Sequence, residues 1–399
     1  MHETFFQKLQ RVKLRDIGHI FLFMLAFPVS LIYRLFRRDL WLICDNEMEA
    51  RDNGYRLFQY ICEKHPETDA VYAISRRSPD RERVCSIGKT VGYGSLRHWI
   101  LYLSARYNIS SQKGGKPNAA VCYFLEVNRI LRNRRIFLQH GVIHNDNEFL
   151  HYSETMMKMF VVSIQKEYEF VCEKFGYPQG AVKKLGLCRF DYLHDADVKP
   201  RQILLMPTWR SWIATPTSAS YDIEDVSSFT NTEYYKAWSS FLSSPELHRI
   251  LEENDMEMVF YPHRDMQSYL GYFDISCPRI RTASWPTSDV QQLLKESAYL
   301  ITDYSSIAMD FAYMRKPMMY YQFDYDDFRK GQYKEGYFSY ERDGFGPVVH
   351  SEEEAFSLLE EMIKNRFEDV SPYKERKADF FDLYDDKNCE RNYNAIKEL

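Results

Sequence analysis

The main constraint on the fold of this chain is a regular alternation of short apolar runs with amphipathic stretches. Candidate strands in the first half lie at residues 40–44, 70–74, 107–110, 135–138 and 159–164. Candidate strands in the second half lie at residues 202–206, 256–261, 299–301, 318–322 and 346–349. Strands that alternate with helices pair in parallel, so the sequence predicts an α/β fold with doubly wound sheets.

The length of 399 residues predicts two domains, because single hydrophobic cores rarely grow to that size. Charged residues and a proline interrupt the pattern near residues 195–200, where we place the boundary. The predicted organisation is a membrane-surface anchor at 1–38, one α/β domain at 39–198, a second at 199–372, and a terminal helix at 373–399 that packs back across the domains.

The first 38 residues have their own character. They hold seven Lys and Arg against Glu3 and Asp16, and fourteen uncharged residues run from 20 to 33 around Pro28. A bilayer span needs about 20 apolar residues, and basic residues on both sides favour a helix in the headgroup plane. A span and a buried core helix are the alternatives. A signal peptide is disfavoured, because Arg37 and Arg38 stand where small residues would mark cleavage.

Composition and motif spacing exclude several classes of protein. The net charge of −5 argues against a nucleic-acid partner. Eight cysteines without a Cys-x-x-Cys pair indicate reduced, cytoplasmic thiols and no zinc site. Residues 88–90 (GKT) fail the P-loop pattern, because position 83 is Arg where the first glycine is required.

In the first half, the most informative motif is residues 136–143 (IFLQHGVI). An apolar strand ends there in Gln139, His140 and Gly141, so His140 is expected at the carboxyl edge of the sheet. Histidine can accept a proton near neutral pH, and the glycine lets a substrate approach the backbone. A structural histidine is the alternative reading. His144 and His151 follow, but no carboxylate or cysteine completes a metal-ligand spacing, so we expect no metal.

In the second half, residues 301–310 (ITDYSSIAMD) read as a strand that turns into a helix. Thr302, Asp303, Ser305 and Ser306 fall in the turn, where Ser and Asp oxygens satisfy the free N–H groups of a first helical turn. The same N–H groups, with the positive end of the helix dipole, form an anion site. An ordinary N-cap is the alternative.

Two other strand ends carry candidate phosphate ligands. Arg210 follows residues 202–206, and His263 follows residues 256–261. An arginine fork suits two oxygens at once, and these residues with the turn at 302–306 form a constellation that could bind a diphosphate. The polar residues 213–231 read as a loop, and the acidic cluster 324–327 (DYDD) as a solvated loop rather than a metal site.

Together these motifs resemble the CDP-glycerol glycerophosphotransferases, which build teichoic-acid and related polyol phosphate polymers. The matching segments are residues 41–43 (WLI), 49–54 (EARDNG), 139–141 (QHG), 207–210 (PTWR), 262–263 (PH), 302–310 (TDYSSIAMD), 316–317 (KP) and 320–324 (YYQFD). The resemblance implies a GT-B fold, with two Rossmann-like domains facing a cleft, the acceptor in the first and CDP in the second. It also implies peripheral attachment to the cytoplasmic face of the membrane. The first histidine of the family is often followed by Gly-Thr-Pro, whereas here Gly141 leads into Val-Ile-His; this departure concerns the acceptor.

The implied reaction moves glycerol phosphate, or a related polyol phosphate, from its CDP donor to a hydroxyl of a lipid-linked acceptor and releases CMP. The expected catalytic residues are His140 as the base, with His263 as the second candidate. The expected donor ligands are Arg210, Thr302, Asp303, Ser305, Ser306 and Asp310. The expected acceptor-side residues are Gln139, Gly141 and His144.

Two other functions are compatible with the sequence. One is a GT-B glycosyltransferase that uses a nucleotide sugar for a cell-surface polysaccharide. The other is a non-catalytic protein that binds the membrane surface. The identity of the polyol, the number of units added, the acceptor and the oligomeric state stay open.

Overall fold

The computed structural model describes residues 14–128, 130–131, 134–195, 197–213, 226–285 and 287–399. The chain divides into two compact units. Unit 1 comprises Met1–His140, Glu148–Asp191 and Asp385–Leu399, and unit 2 comprises Gly141–Asn147 and Tyr192–Tyr384. Residues 1–13 of the expected anchor and residues 214–225 of the expected polar loop lie outside the described residues. The limits given above for an acceptor and a donor domain stay predictions.

Unit 1 is built on a seven-stranded parallel sheet in the order β3-β2-β1-β4-β5-β7-β8. Its strands are β1 (Trp41–Ile43), β2 (Ala70–Ile74), β3 (Thr90–Gly92), β4 (Tyr107–Ser110), β5 (Arg135–Phe137), β7 (Met159–Val162) and β8 (Val182–Lys184). The strand order reverses between β1 and β4. The predicted doubly wound α/β fold is therefore confirmed in this unit.

The helices of unit 1 cover the sheet. They are α1 (Leu14–Phe36), α2 (Asn53–Lys64), α3 (Arg81–Cys85), α4 (Leu96–Ser104), α5 (Ala119–Val127), α6 (Tyr152–Thr155), α7 (Gln165–Lys174) and α17 (Asn388–Lys397). Single 3₁₀ turns occur at Glu148–Leu150 and Cys188–Tyr192. The last helix is tied to its own unit, because the carboxylate of Asp191 accepts bonds from the backbone N–H groups of Asn388 and Cys389 at 2.8 and 2.7 Å.

Helix α1 buries a narrow face and exposes a broad apolar one. His19, Ala26 and Ser30 are buried, and the Nε1 of Trp99 on α4 donates to the Nδ1 of His19 at 3.0 Å. Twelve large apolar side chains of α1 are exposed, among them Phe21 at 59%. The alternative of a core helix is thus not supported. Within the described residues, α1 is the one helix long and apolar enough to cross a membrane.

Unit 2 is built on a six-stranded parallel sheet in the order β11-β10-β9-β12-β13-β15. Its strands are β9 (Lys199–Leu205), β10 (Glu257–Phe260), β11 (Ile280–Thr282), β12 (Ser297–Thr302), β13 (Met318–Tyr321) and β15 (Val348–Val349). A small antiparallel pair joins β6 (Asn145–Asp146) to β14 (Lys334–Glu335). The order of the main sheet reverses between β9 and β12, so this unit is doubly wound as well.

The helices of unit 2 shield both faces of its sheet. They are α8 (Val226–Thr230), α9 (Glu233–Ser243), α10 (Pro245–Glu253), α11 (Val290–Glu296), α12 (Ile307–Tyr313), α13 (Tyr325–Gly331), α14 (Tyr340–Asp343), α15 (Glu352–Lys364) and α16 (Tyr373–Phe380), with a 3₁₀ helix at Arg264–Tyr272. The largest members of the core on one face are Trp238, Tyr234, Phe241, Phe260 and Tyr299. This aromatic core explains the high count of Tyr and Phe in the sequence.

Candidate functional site

The carboxyl edge of the unit 2 sheet gathers the predicted donor residues. The segments that follow β9, β10, β12 and β13 begin at Met206, Tyr261, Asp303 and Gln322, and these four strands are neighbours in the sheet. The reversal of strand order lies between β9 and β12. Ligands of open α/β sheets bind outside the carboxyl ends of the strands at such a reversal. The motifs around residues 207–210 and 302–306 therefore lie where a ligand is expected.

Arg210 is the centre of a buried charge network at this edge. Its side chain is 0% exposed, and its Nη2 donates to Asp303 Oδ2 at 2.9 Å and to Asp324 Oδ1 at 3.0 Å. Its Nε donates to Asp324 Oδ2 at 2.8 Å, and its Nη1 donates to the carbonyl of Thr208 at 2.9 Å. Desolvation opposes the charge of Arg210, but the two carboxylates outweigh it and raise its pKa.

Aromatic rings complete the enclosure of this guanidinium. Its carbon lies 5.1 to 5.2 Å from the ring centres of Tyr234, Tyr304 and Phe328, and the last two rings stack at 3.9 Å. A fork that is filled by carboxylates and covered by rings has no surface to offer a phosphate. Arg210 thus holds together the loops that follow β9, β12 and β13, and the expectation that it contacts the donor stays a prediction that its burial does not support.

Thr302, Asp303 and Asp310 are also buried. The hydroxyl of Thr302 donates to the carbonyl of Met206 at 2.7 Å, which fastens β12 to β9. Asp303 Oδ1 accepts from the backbone N–H groups of Thr208 and Tyr304 at 2.8 and 2.6 Å. Asp310 is 1% exposed within α12. These three residues give the site its shape, and direct contact with a donor is not supported by their burial.

Ser305, Ser306 and His263 are the predicted donor residues that reach the surface of this edge. Ser305 is half-buried, Ser306 is exposed, and 37% of the His263 side chain is exposed. The Nδ1 of His263 accepts from the backbone N–H of Asp265 at 3.3 Å, and the His263 N–H donates to the carbonyl of Pro207. Helix α12 has only seven residues, and Ser306 makes no side-chain cap bond.

In unit 1, a buried carboxylate occupies the reversal between β1 and β4. Asp45 accepts from the backbone N–H groups of Gly54 and Tyr55, at the start of α2, at 2.8 and 3.1 Å. A Cβ at position 54 would lie 2.4 Å from Asp45 Oδ1, so this position requires glycine. Desolvation and the charge of Asp52 raise the pKa of Asp45 to about 6. The protein's own carboxylate thus fills the place where a Rossmann-type unit binds a phosphate.

His140 lies at the carboxyl end of β5 in the same unit and forms a dyad with Asp52. Its Nδ1 lies 2.5 Å from Asp52 Oδ2, while 65% of the His140 side chain is exposed. The Nη1 of Arg189 donates to Asp52 Oδ1 at 2.7 Å and to the His140 carbonyl at 2.6 Å. Partial desolvation lowers the pKa of His140, but the Asp52 charge outweighs it, so the pKa lies above 6.5.

Gln139, the residue before His140, fixes the direction of the backbone at the histidine. Gln139 has a φ of +72°, which is uncommon for a residue other than glycine and costs about 1–3 kcal/mol. Its carbonyl accepts from the Nδ2 of Asn53 at 2.7 Å, and its Oε1 accepts from the His140 N–H at 3.1 Å. Strain that is held by two side-chain bonds is characteristic of a positioned functional group.

Gly141 and His144, the other expected acceptor-side residues, belong to unit 2 rather than to the unit of Gln139. His144 is 6% exposed and packs edge-on against Phe338 and Tyr340. Desolvation lowers its pKa to about 4, so the ring is neutral at ordinary pH. Its burial supports a packing role, whereas an acceptor role for Gly141 stays a prediction.

Three residues of the site have no role in the prediction from sequence. Asp52 lies in the segment 49–54 that carries the family resemblance. Its contact with His140, which lies 88 positions later in the sequence, could not be foreseen. Arg189 carries no local signal, because its partners Asp52 and His140 lie 137 and 49 positions away. Asp45 bonds to the start of the next helix, and no motif marked it. In the described residues, no group of three or more His, Cys, Asp or Glu side chains could hold a metal ion.

Comparison with known proteins decides the family. Residues 25–398 match the family described as CDP-Glycerol:Poly(glycerophosphate) glycerophosphotransferase. The chain belongs to this family. The resemblance read from the motifs is therefore confirmed.

Two curated relatives of the chain are longer than the chain itself. It is 29% identical to the minor teichoic acid biosynthesis protein GgaB of Bacillus subtilis over 94% of this chain and 42% of that protein. It is 23% identical to the teichoic acid poly(ribitol-phosphate) polymerase of Bacillus spizizenii over 94% of this chain and 58% of that protein. The chain spans about half the length of these relatives.

Solved structures confirm the fold. The wall teichoic acid polymerase TagF superposes with a TM-score of 0.66 at 15% identity, covering 99% of this chain and 98% of that chain. A putative UDP-N-acetylglucosamine 2-epimerase from Listeria monocytogenes superposes with a TM-score of 0.55 at 13% identity, covering 90% of this chain and 96% of that chain. The predicted GT-B class, with two Rossmann-like units, is confirmed.

The buried network of Arg210 leads to a stability prediction. Arg210→Met leaves Asp303 and Asp324 as uncompensated buried carboxylates, and we expect it to destabilise the protein by about 3–5 kcal/mol in urea denaturation. Arg201→Gln is the matched control, because Arg201 forms an exposed ion pair with Asp255 and should cost less than about 1 kcal/mol. Equal costs for the two variants would contradict a loop-fastening role for Arg210.

Proposed function

We propose that this chain transfers a polyol phosphate from CDP-glycerol, or a related CDP-polyol, to a hydroxyl of a lipid-linked acceptor in teichoic-acid-type or capsule-type polymer synthesis. Membership of the family over nearly the whole chain supports the reaction class. A variant of TagF, which shares the fold, has been soaked with CDPG. The observation that carries the proposal is an exposed histidine, His140, whose Nδ1 is hydrogen-bonded to the buried carboxylate of Asp52.

The chemistry requires one proton transfer and one displacement at phosphorus. The acceptor hydroxyl oxygen forms a bond to the phosphorus that bears the polyol, and the bond from that phosphorus to the bridging oxygen breaks. The bridging oxygen leaves on CMP with the bonding electrons, and the hydroxyl proton passes to His140. Asp52 then stabilises the imidazolium and keeps its Nδ1 edge fixed, as carboxylates do in catalytic triads.

The donor side of the proposal uses the exposed residues of unit 2. His263, Ser305 and Ser306 would bind the diphosphate, while Arg210 and its carboxylates keep their loops in place. In unit 1 the Asp45 carboxylate already occupies the start of α2. This supports the assignment of the CDP donor to unit 2 and of the acceptor to unit 1.

We also propose that the protein works peripherally, at the cytoplasmic face of the membrane. The exposed apolar face of α1 supports this location, since an apolar helix face inserts at the boundary of headgroups and acyl chains. Lysines and arginines beside such a helix add about 1 kcal/mol each of attraction to anionic lipid. Lys8, Arg11 and Lys13 of the expected basic cluster lie outside the described residues.

His140→Ala should lose about 10²–10⁴ in the rate of CMP release with an acceptor present, the range expected for general-base catalysis. Because Asp52 keeps its pair with Arg189, thermal stability measured above the raised pKa of His140, where the imidazole is neutral, should stay close to native. His248→Ala, in helix α10, is the matched control and should keep native turnover. Native turnover of His140→Ala would remove this residue from the role, and release of UDP or GDP from a sugar donor would favour the glycosyltransferase alternative.

Asp52→Asn should shift the pH dependence of the reaction. The base acts when His140 is neutral, so native activity falls as the pH drops through its raised pKa. Removing the Asp52 charge lowers that pKa, so the acid limb of the kcat/KM profile should move to lower pH while the maximal rate falls. Asp39→Asn, which alters an exposed pair with Arg106, should leave the limb in place. An unmoved limb in Asp52→Asn would contradict the dyad.

The membrane location is tested by substitution rather than deletion, because removal of α1 would uncover Trp99. The double variant Phe21→Glu, Leu25→Glu should sediment far less with vesicles that contain anionic lipid, while transfer to a soluble acceptor analogue is kept. Phe124→Glu alters an exposed ring on α5 and serves as the control. Unchanged sedimentation of the double variant would show that α1 is not the membrane contact.

A further inference from the structure

A basic pocket lies in unit 1, apart from the dyad of His140 and Asp52. It encloses about 340 Å³ between the carboxyl ends of β2 and β3 and the start of α4. Three arginines line it: Arg76 follows β2, Arg81 begins α3, and Arg97 lies in the first turn of α4. Backbone and hydroxyl groups of Thr90, Gly92 and Ser95 contribute to the wall.

The pocket has an uncompensated positive charge. None of the nine described residues that line it is acidic. Asp80, the nearest carboxylate before Arg81 in the sequence, forms an ion pair with Arg51 at 2.9 Å, and Glu82 is not among the lining residues. No ion pair is found for Arg76, Arg81 or Arg97 within the described part of the chain, although other arginines of this unit, such as Arg51 and Arg189, are paired.

One arginine of the pocket is placed against the backbone. The Nε of Arg76 lies 3.7 Å from the position that a Cβ on Gly92 would take, so the arginine side chain lies in van der Waals range of the end of β3. Guanidinium groups bind phosphate oxygens in pairs, and three of them around one cavity suit more than one phosphate. The size and charge of the cavity thus favour a polyanion.

The spacing of the strands gives the distance between this pocket and His140, the proposed base. Between β2 and β5 stand β1 and β4, and neighbouring strands are about 4.8 Å apart, so the strand ends are about 14 Å apart for β2 and about 19 Å for β3. A glycerol phosphate repeat has as many skeletal bonds as two amino-acid residues, which extend about 7 Å at most. The separation therefore corresponds to roughly two or three repeats.

We propose that the pocket of Arg76, Arg81 and Arg97 binds phosphodiester groups of the acceptor chain two or three repeats before its reacting hydroxyl. This inference rests on the proposed function and adds to it a binding site for the repeats of an acceptor that already carries polyol phosphate. The pocket holds the polyanion, and the terminal hydroxyl lies at His140. An acceptor with a single repeat does not reach the arginines.

Binding can be measured without catalysis. Inorganic tripolyphosphate, titrated into the full chain by calorimetry at low salt, should bind, and Arg76→Gln and Arg97→Gln should each weaken it by roughly fivefold to tenfold. Arg77→Gln is the matched control, because Arg77 is the exposed neighbour of Arg76 outside the lining. Equal weakening by Arg77→Gln, or no binding of tripolyphosphate at all, would overturn the proposed anion site. Displacement of tripolyphosphate by CDP would show that the pocket binds a nucleotide instead.

Transfer kinetics supply the second readout. In the double variant Arg76→Gln, Arg97→Gln, the KM for an acceptor with several repeats should rise at least tenfold, with kcat nearly unchanged. The KM for an acceptor with a single repeat should stay native. An equal rise for both acceptors would overturn the proposal. If the native chain binds tripolyphosphate but transfers nothing from CDP-glycerol or from other CDP-polyols, the proposed function fails while the anion pocket stands. If transfer is native in the double variant, the pocket alone fails.

Discussion

A buried carboxylate at the reversal of strand order organises each unit. Asp45 follows β1 in unit 1 and Asp303 follows β12 in unit 2, and both are 0% exposed. A buried charge is tolerated only when hydrogen bonds and opposite charge replace its water. Asp45 meets this requirement with backbone and hydroxyl donors, whereas Asp303 meets it with backbone donors and the guanidinium of Arg210. The loops that carry the site residues are fixed by these two anchors.

The two carboxylates have different partners, and different side chains therefore stay exposed at the two sheet edges. In unit 1, Asp45 uses the first N–H groups of α2, and Asp52, which caps the same helix, is left to hold His140. In unit 2, Arg210 is consumed by Asp303 and Asp324, so Ser305, Ser306 and His263 are the surface groups available to a ligand. The proposed function accordingly assigns proton acceptance to the edge of unit 1 and anion binding to the edge of unit 2.

The sequence predicts ten of the thirteen strands of the two main sheets and the segments at their carboxyl ends, because these depend on local periodicity, but it misses the short edge strands β3, β8 and β11. It does not predict which side chains of those segments point inward. Arg210 and Ser306 both follow strands, yet one is enclosed by rings and the other is exposed. That outcome depends on partners such as Asp324 and Phe328, which lie more than a hundred residues away from Arg210. The same reason hides Asp52 and Arg189 from sequence reasoning.

The carboxylate at the start of α2 has an electrostatic consequence for whatever approaches His140. Asp45 cancels the positive end of that helix, and the charge of Asp52 behind the imidazole is balanced by Arg189. The start of α2 therefore offers no unbalanced positive charge to a phosphate. A hydroxyl that approaches His140 meets no competition at this helix from the phosphates of its own molecule.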